Sequence, residues 1–111
     1  MEISYLGHSS FKIKTKTATV ITDPFDPDMV GLKFSPNEAE IVTVSHAHKD
    51  HNAVEKVSGI KKIVEGPGEY EINGVSIILS LTSRLVNIKR SFGLAYMILE
   101  IGLIQSNLIF I

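Results

Sequence analysis

Along residues 1–81 the apolar positions fall into short runs separated by turn residues. Ile3 to Leu6 reads as a short strand. Phe11 and Ile13 alternate with Lys12 and Lys14, the period of two expected of a half-exposed strand. Ala18 to Thr22 is β-branched and apolar, the pattern of a buried strand. Gly7 and Thr15-Lys16-Thr17 supply the turns, so the three runs predict an antiparallel meander. Asp23-Pro24-Phe25-Asp26-Pro27 then ends the third strand in a loop, because neither proline can donate to a ladder.

Ser35-Pro36-Asn37-Glu38 has the spacing of a capping box with proline at the first helical position, and predicts one helical turn. Ile41 to Ser45 predicts a second buried strand. His51 to Val57 predicts a short helix, with Asp50 as its N-cap and Gly59 as its stop. Lys62 to Glu65 and Val75 to Leu81 predict further strands. Gly66-Pro67-Gly68 and Asn73-Gly74 are turn signals, the second a hairpin signal, and Glu69 and Tyr70 are expected to serve a turn. The sequence shows no internal repeat and no low-complexity linker. The fold class implied is α/β.

The apolar end, Leu94 to Ile111, is interrupted by Glu100, Gln105, Ser106 and Asn107, so it lacks the roughly 20 apolar residues of a membrane span. Ala95 to Glu100 can pair as a strand or collapse as an apolar tail. Met1-Glu2-Ile3-Ser4 carries neither a basic nor an apolar leader region. A cytoplasmic location, with no membrane partner, is expected.

The 111 residues suffice for one domain. Hydrophobic residues at 44% and charged residues at 21% exclude an intrinsically disordered chain. A net charge of −1, with no basic stripe, argues against nucleic acid as a partner. Charge shifts along the chain: residues 1–81 hold 8 basic and 11 acidic groups, whereas 82–111 hold Arg84, Lys89 and Arg90 against Glu100. With no cysteine, neither a disulfide framework nor a thiolate metal site can form.

The chemistry concentrates in His46-Ala47-His48-Lys49-Asp50-His51, between a predicted buried strand and a predicted helix. His46 and His48 are two apart, so an extended stretch would put them on one side. Asp50 and His51 follow the turn and can present a second pair of donors. Imidazole with carboxylate suits Zn²⁺, and also Mn²⁺ or Fe. Two such ions about 3.5–4 Å apart can activate water and polarise a scissile bond.

This segment matches H-x-H-x-D-H and resembles the signature of the metallo-β-lactamase superfamily. Tyr5-Leu6-Gly7-His8-Ser9-Ser10-Phe11, Ile21-Thr22-Asp23-Pro24-Phe25, Glu65-Gly66-Pro67-Gly68-Glu69-Tyr70-Glu71-Ile72 and Gly74-Val75 are similar to its stand-alone Zn-dependent hydrolases, the group of L-ascorbate-6-phosphate lactonase. The resemblance covers residues 1–81. It implies the N-terminal half of an αββα sandwich, with mixed, mostly antiparallel sheet and one or two short helices. By resemblance, His46 and His48 would ligate a first metal, and Asp50 and His51 a second. Asp50 would also orient the attacking water. Asp23 would lie behind the ligand loop as a hydrogen-bond partner, and His8 near the mouth, facing a small-molecule substrate.

The resemblance also implies a third histidine just after Leu81-Thr82-Ser83, and a later bridging aspartate. The sequence reads Arg84-Leu85-Val86 there, His51 is its last histidine, and Asp50 its last aspartate. The expectation is therefore a single truncated domain over 1–111, family-like to residue 81 and divergent from 82. Its hydrolysis of an ester, lactone or phosphodiester would be impaired, with up to two Zn²⁺ if the site is completed, for example in a homo-oligomer. The alternative is a non-catalytic remnant with partial metal binding or an interaction role.

Overall fold

The computed structural model describes the backbone of residues 1–82, 96–103 and 106–110, and the side chains of residues 1–79. The chain runs β1 (Glu2–Gly7), β2 (Ser10–Lys14), β3 (Thr19–Thr22), α1 (Pro27–Val30), β4 (Asn37–Glu38), β5 (Ile41–Thr43), a 3₁₀ turn (Val54–Lys56) and β6 (Val57–Ser58). It continues through β7 (Lys62–Val64), β8 (Gly68–Ile72), β9 (Val75–Thr82), β10 (Tyr96–Leu103) and β11 (Ser106–Phe110).

Among the described residues, one sheet has the order β1-β2-β3-β5-β7. Its first three strands are the expected antiparallel meander, and β3, β5 and β7 pair in parallel. A second sheet, β11-β10-β9-β8, is antiparallel throughout. The unbroken apolar runs of β3 and β5 mark strands covered on both faces. Val20 and Ile41 join Ile13, Ala18 and Val64 against Val75, Ile77 and Leu79 of β9. Ile21 and Val42 face the other way, onto Phe25, Phe34, Ala39, Val44 and Val57 from the loop layer. The first sheet is thus packed between the second sheet and the loops that carry the histidines.

Asn73 (φ 50°) and Gly74 (φ 75°) both lie in the left-handed region between β8 and β9, as a type I′ hairpin turn requires. Of the two alternatives for Ala95–Glu100, a strand or a collapsed tail, the strand is found as β10, which pairs with β9 and places Leu99, Ile101 and Leu103 opposite Leu79, Ile77 and Val75.

Four local expectations are corrected. Ser35–Glu38 forms no helical turn: Asn37 and Glu38 pair with Val57 and Ser58, because Ala39 and Ile41 are needed immediately afterwards in the core. The helix expected over His51–Val57 shrinks to one 3₁₀ turn. Residues 46–53 are used by tight turns, and Val57 leaves to pair with β4. Asp50 is accordingly no N-cap; Ala53 holds that position, without a side-chain hydrogen bond. Glu69 and Tyr70 lie in strand β8 rather than a turn, although the Tyr70 hydroxyl reaches back and donates to the Gly66 carbonyl at 2.9 Å. The loop after β3 also contains a helix not foreseen. Asp26 caps α1 by accepting from Asp28 N at 3.0 Å, Pro27 opens it, and Gly31 closes it at φ 77°.

No helix among the described residues is long and apolar enough to cross a membrane.

Candidate metal centre

Parallel β3 and β5 end side by side, with Thr22 opposite Thr43, so the segments that follow them leave from adjacent positions. Carboxyl ends of neighbouring parallel strands are where open α/β sheets gather functional groups. Main-chain bonds join the two segments: Asp23 N to Thr43 O at 2.8 Å, Asp26 N to Lys49 O at 3.1 Å, and Ala53 N to Pro24 O at 2.9 Å.

Asp23 is the hub of this junction. Its Oδ1 accepts from Ser45 N at 2.7 Å, and its Oδ2 from Ser45 Oγ at 2.6 Å and His51 Nδ1 at 3.0 Å. Ser45 Oγ also meets His46 Nδ1 at 2.9 Å. A carboxylate can only accept, so His51 keeps its proton on Nδ1. Ser45 spends its one hydroxyl proton on Asp23, so His46 Nδ1 must donate to Ser45. Both imidazoles are therefore held in the tautomer that leaves Nε2 with a free lone pair, the arrangement that orients metal-ligating histidines.

Short turns fold the ligand segment onto itself. His48 N donates to His46 O at 3.0 Å, and His51 N and Asn52 N both donate to His48 O. The His46 ring centroid lies 4.7 Å from that of His48 and 4.0 Å from that of His51. Asp50 Oδ2 stands 3.2 Å from His51 Nε2 and 3.2 Å from His8 Nε2.

His8 arrives from the β1–β2 hairpin. A register irregularity between Tyr5 and Gly7 and two left-handed residues, Gly7 (φ 114°) and His8 (φ 49°), bend the chain there. The Tyr5 hydroxyl donates to His8 O at 2.8 Å, and the His8 ring stands edge-on to buried Phe25 at 6.0 Å.

The structure brings all the sequence-predicted residues to one place. His46, His48 and Asp50 form one group whose ligand atoms lie within 4.8 Å of one another, and His8, Asp50 and His51 form a second. Asp23 lies behind them. Ser45, which sequence reasoning assigned only to a strand, is the added member; its position between the β5 strand and His46 was the available signal.

Electrostatics favour the ligand forms. Burial pushes the His46 imidazole below its ordinary 6.5, the neighbouring His51 and His48 push the same way, and Asp23 and Asp50 oppose them. Burial alone would raise the Asp50 carboxyl. His51, a backbone hydrogen bond and His8 together outweigh it and hold the group below its ordinary 3.8. Neutral imidazole and ionised carboxylate are the states that bind metal. The donor set also fits a cation directly. With His51 Nδ1 held by Asp23, His51 Nε2 and Asp50 Oδ2 stand 3.2 Å apart, two donor atoms close enough to share one cation.

The sequence profile of the β-lactamase superfamily domain matches residues 2–99. The chain belongs to the β-lactamase superfamily. Its fold is a fragment of the metallo-β-lactamase architecture. A crystal structure from Thermotoga maritima, of a protein assigned as a Zn-dependent hydrolase of the metallo-β-lactamase superfamily, superposes with a TM-score of 0.68 at 29% identity. That match covers 89% of this chain and 42% of the other. A UPF0173 metal-dependent hydrolase from Lysinibacillus sphaericus is 36% identical over 73 residues, 62% of this chain and 32% of the relative. One from Salinibacter ruber is 34% identical over 79 residues, 69% of this chain and 33% of the relative. The chain thus spans about a third of the length of these superfamily relatives.

Proposed function

We propose that the chain is a metal-dependent hydrolase that directs water onto an ester, lactone or phosphodiester of a small molecule. The observation that carries this reading is the pair of three-residue donor groups sharing Asp50. The lactone within that set is supported by the narrower resemblance to L-ascorbate-6-phosphate lactonase. A divalent cation, Zn²⁺ by preference and Mn²⁺ or Fe otherwise, would supply Lewis acidity and lower the pKa of water. His46 and His48 would hold one ion, and His51 with Asp50 a second. Asp23 and Ser45 fix the donor tautomers. Asp50 accepts a hydrogen bond from the attacking water and aims it.

Turnover by these 111 residues is proposed to be slow. Every candidate donor lies between His8 and His51, and no histidine or aspartate follows them. The same observation favours a second reading, metal binding without turnover. A homo-oligomer would supply further donors from a second copy.

The test is elemental analysis after purification with zinc and desalting, beside hydrolysis of p-nitrophenyl acetate and bis(p-nitrophenyl) phosphate. Retained zinc with turnover lost in His46→Ala and Asp50→Ala supports the hydrolase. Retained zinc without turnover supports the second reading. Zinc well below one per chain overturns both.

A further inference from the structure

We infer that His8 is itself a metal ligand: its Nε2 joins Asp50 Oδ2 and His51 Nε2 in a three-donor site for a divalent cation. The inference rests on the metal-binding reading of the cluster and changes the role of His8 from substrate contact to ion holder.

Three observations converge on it. First, His8 Nε2 and His51 Nε2 approach the same carboxylate oxygen, each at 3.2 Å, from segments 43 positions apart in sequence numbering, His8 and His51. Their rings stand 5.0 Å apart by centroid. Second, the hairpin is bent to deliver this side chain. Gly7 and His8 both adopt left-handed backbone, the Tyr5 hydroxyl pins the His8 carbonyl, and Phe25 backs the ring. Strained backbone of this kind persists where surrounding structure enforces it, and clusters at functional sites. Third, the proton inventory permits ligation. In the metal-free structure His8 Nε2 donates to Asp50 Oδ2 at 3.2 Å; the side chain is 32% exposed, so on ion uptake Nε2 can release that proton while Nδ1 carries the ring proton and gives it to water.

The donor count gives the inference its consequence. Catalytic zinc sites characteristically use three protein donors and leave one position for water. Asp50 and His51 alone provide two; His8 completes a two-histidine, one-carboxylate set. The His46–His48–Asp50 group matches it in number and composition. Two ion positions are then furnished by residues 8–51 alone, with Asp50 shared between them.

The experiment is a Co²⁺ titration of the full chain followed by visible absorption, comparing the natural sequence with His8→Ala and His46→Ala. The expected result is two equivalents for the natural chain. In His8→Ala one equivalent weakens at least about tenfold with loss of its absorption bands, while the other persists. His46→Ala should weaken the other equivalent. A long-range ¹H–¹⁵N spectrum of the unsubstituted chain with Zn²⁺ gives an independent reading, needed if His8→Ala fails to fold: the His8 Nε2 resonance should shift together with that of His51. Unchanged cobalt binding in a folded His8→Ala, or an unmoved His8 Nε2 resonance in zinc-loaded protein, overturns the inference and leaves the hydrolase reading standing. No cobalt or zinc uptake by the natural chain overturns both.

Discussion

Asp23 Oδ2 accepts a hydrogen bond from His51 Nδ1 at 3.0 Å, across 28 positions of sequence. The same carboxylate holds Ser45 through both its backbone N–H and its hydroxyl. In Asp23→Asn one acceptor oxygen becomes an amide donor, so either Ser45 or His51 faces a donor instead of an acceptor. Metal affinity is expected to fall about 10–100-fold. Isothermal titration with Zn²⁺ measures it, and circular dichroism shows whether the fold is retained.

Gly7 holds the bend that presents His8. Its φ of 114° disfavours any side chain, and an added Cβ would stand 3.2 Å from Phe25 Cζ. Gly7→Ala is expected to cost about 1–3 kcal/mol and to weaken metal binding, because relief of strain moves His8. Gly31→Ala is the control: φ is 77°, but nothing lies within 4 Å of the added methyl. It should cost about 1–2 kcal/mol and leave metal affinity unchanged. Urea midpoints and metal titrations on the same samples separate the two effects.

Ile77 is fully buried between the sheets and belongs to the core cluster away from the histidines. Ile77→Val should lower stability by about 0.5–1.5 kcal/mol without altering metal affinity of the folded chain. Phe25→Ala, which removes a fully buried ring beside both Phe34 and His8, should cost about 3–5 kcal/mol and affect metal binding as well. Equal effects of the two substitutions on metal affinity would contradict the separation of core and site.

Acid should destabilise the metal-free chain in two stages. His46 lies below its ordinary 6.5 in the folded state, so the unfolded chain takes up its proton first. Stability therefore falls as pH drops from 6.5 toward the lowered value, and this contribution is flat below it. Asp50 is held below 3.8. Glu40 is held below 4.5, chiefly by the Thr19 N–H and its own backbone N–H, with Lys61 helping and burial opposing. Their contributions are full above those ordinary values and are lost as pH falls through the lowered ones. Urea midpoints from pH 7 to pH 3 in chelator check the sequence, and Glu40→Gln should diminish only the second stage.

Strands β2, β3 and β5 were legible because burial writes itself into composition: β3 and β5 had to be unbroken apolar runs, and β2 had to alternate. The Asn73-Gly74 turn was legible because few residues accept two consecutive left-handed conformations. The candidate donors of residues 46–51 were legible because they crowd one short segment. What the sequence concealed depended on distant partners. Asn37 and Glu38 carry a helix-start pattern, yet pair with Val57 and Ser58. Residues 51–53 looked helical, yet their backbone groups bond to His48 and Pro24. The resemblance put His8 near the mouth of the site, but its contact with Asp50, 42 residues away, had no local mark.

The main-chain bonds between the segments after β3 and β5 have a kinetic consequence. Asp23, which orients the imidazoles, and the imidazoles themselves sit on opposite sides of that seam, so neither segment can swing away alone without breaking it. The ligand loop and its carboxylate support should open as one unit of local unfolding. An ion bound to that unit would slow proteolytic nicking at Lys49 and amide exchange at Ala53 to the same degree. Escape of the ion would then be timed by the opening of the seam, and not only by the strength of individual metal–ligand bonds.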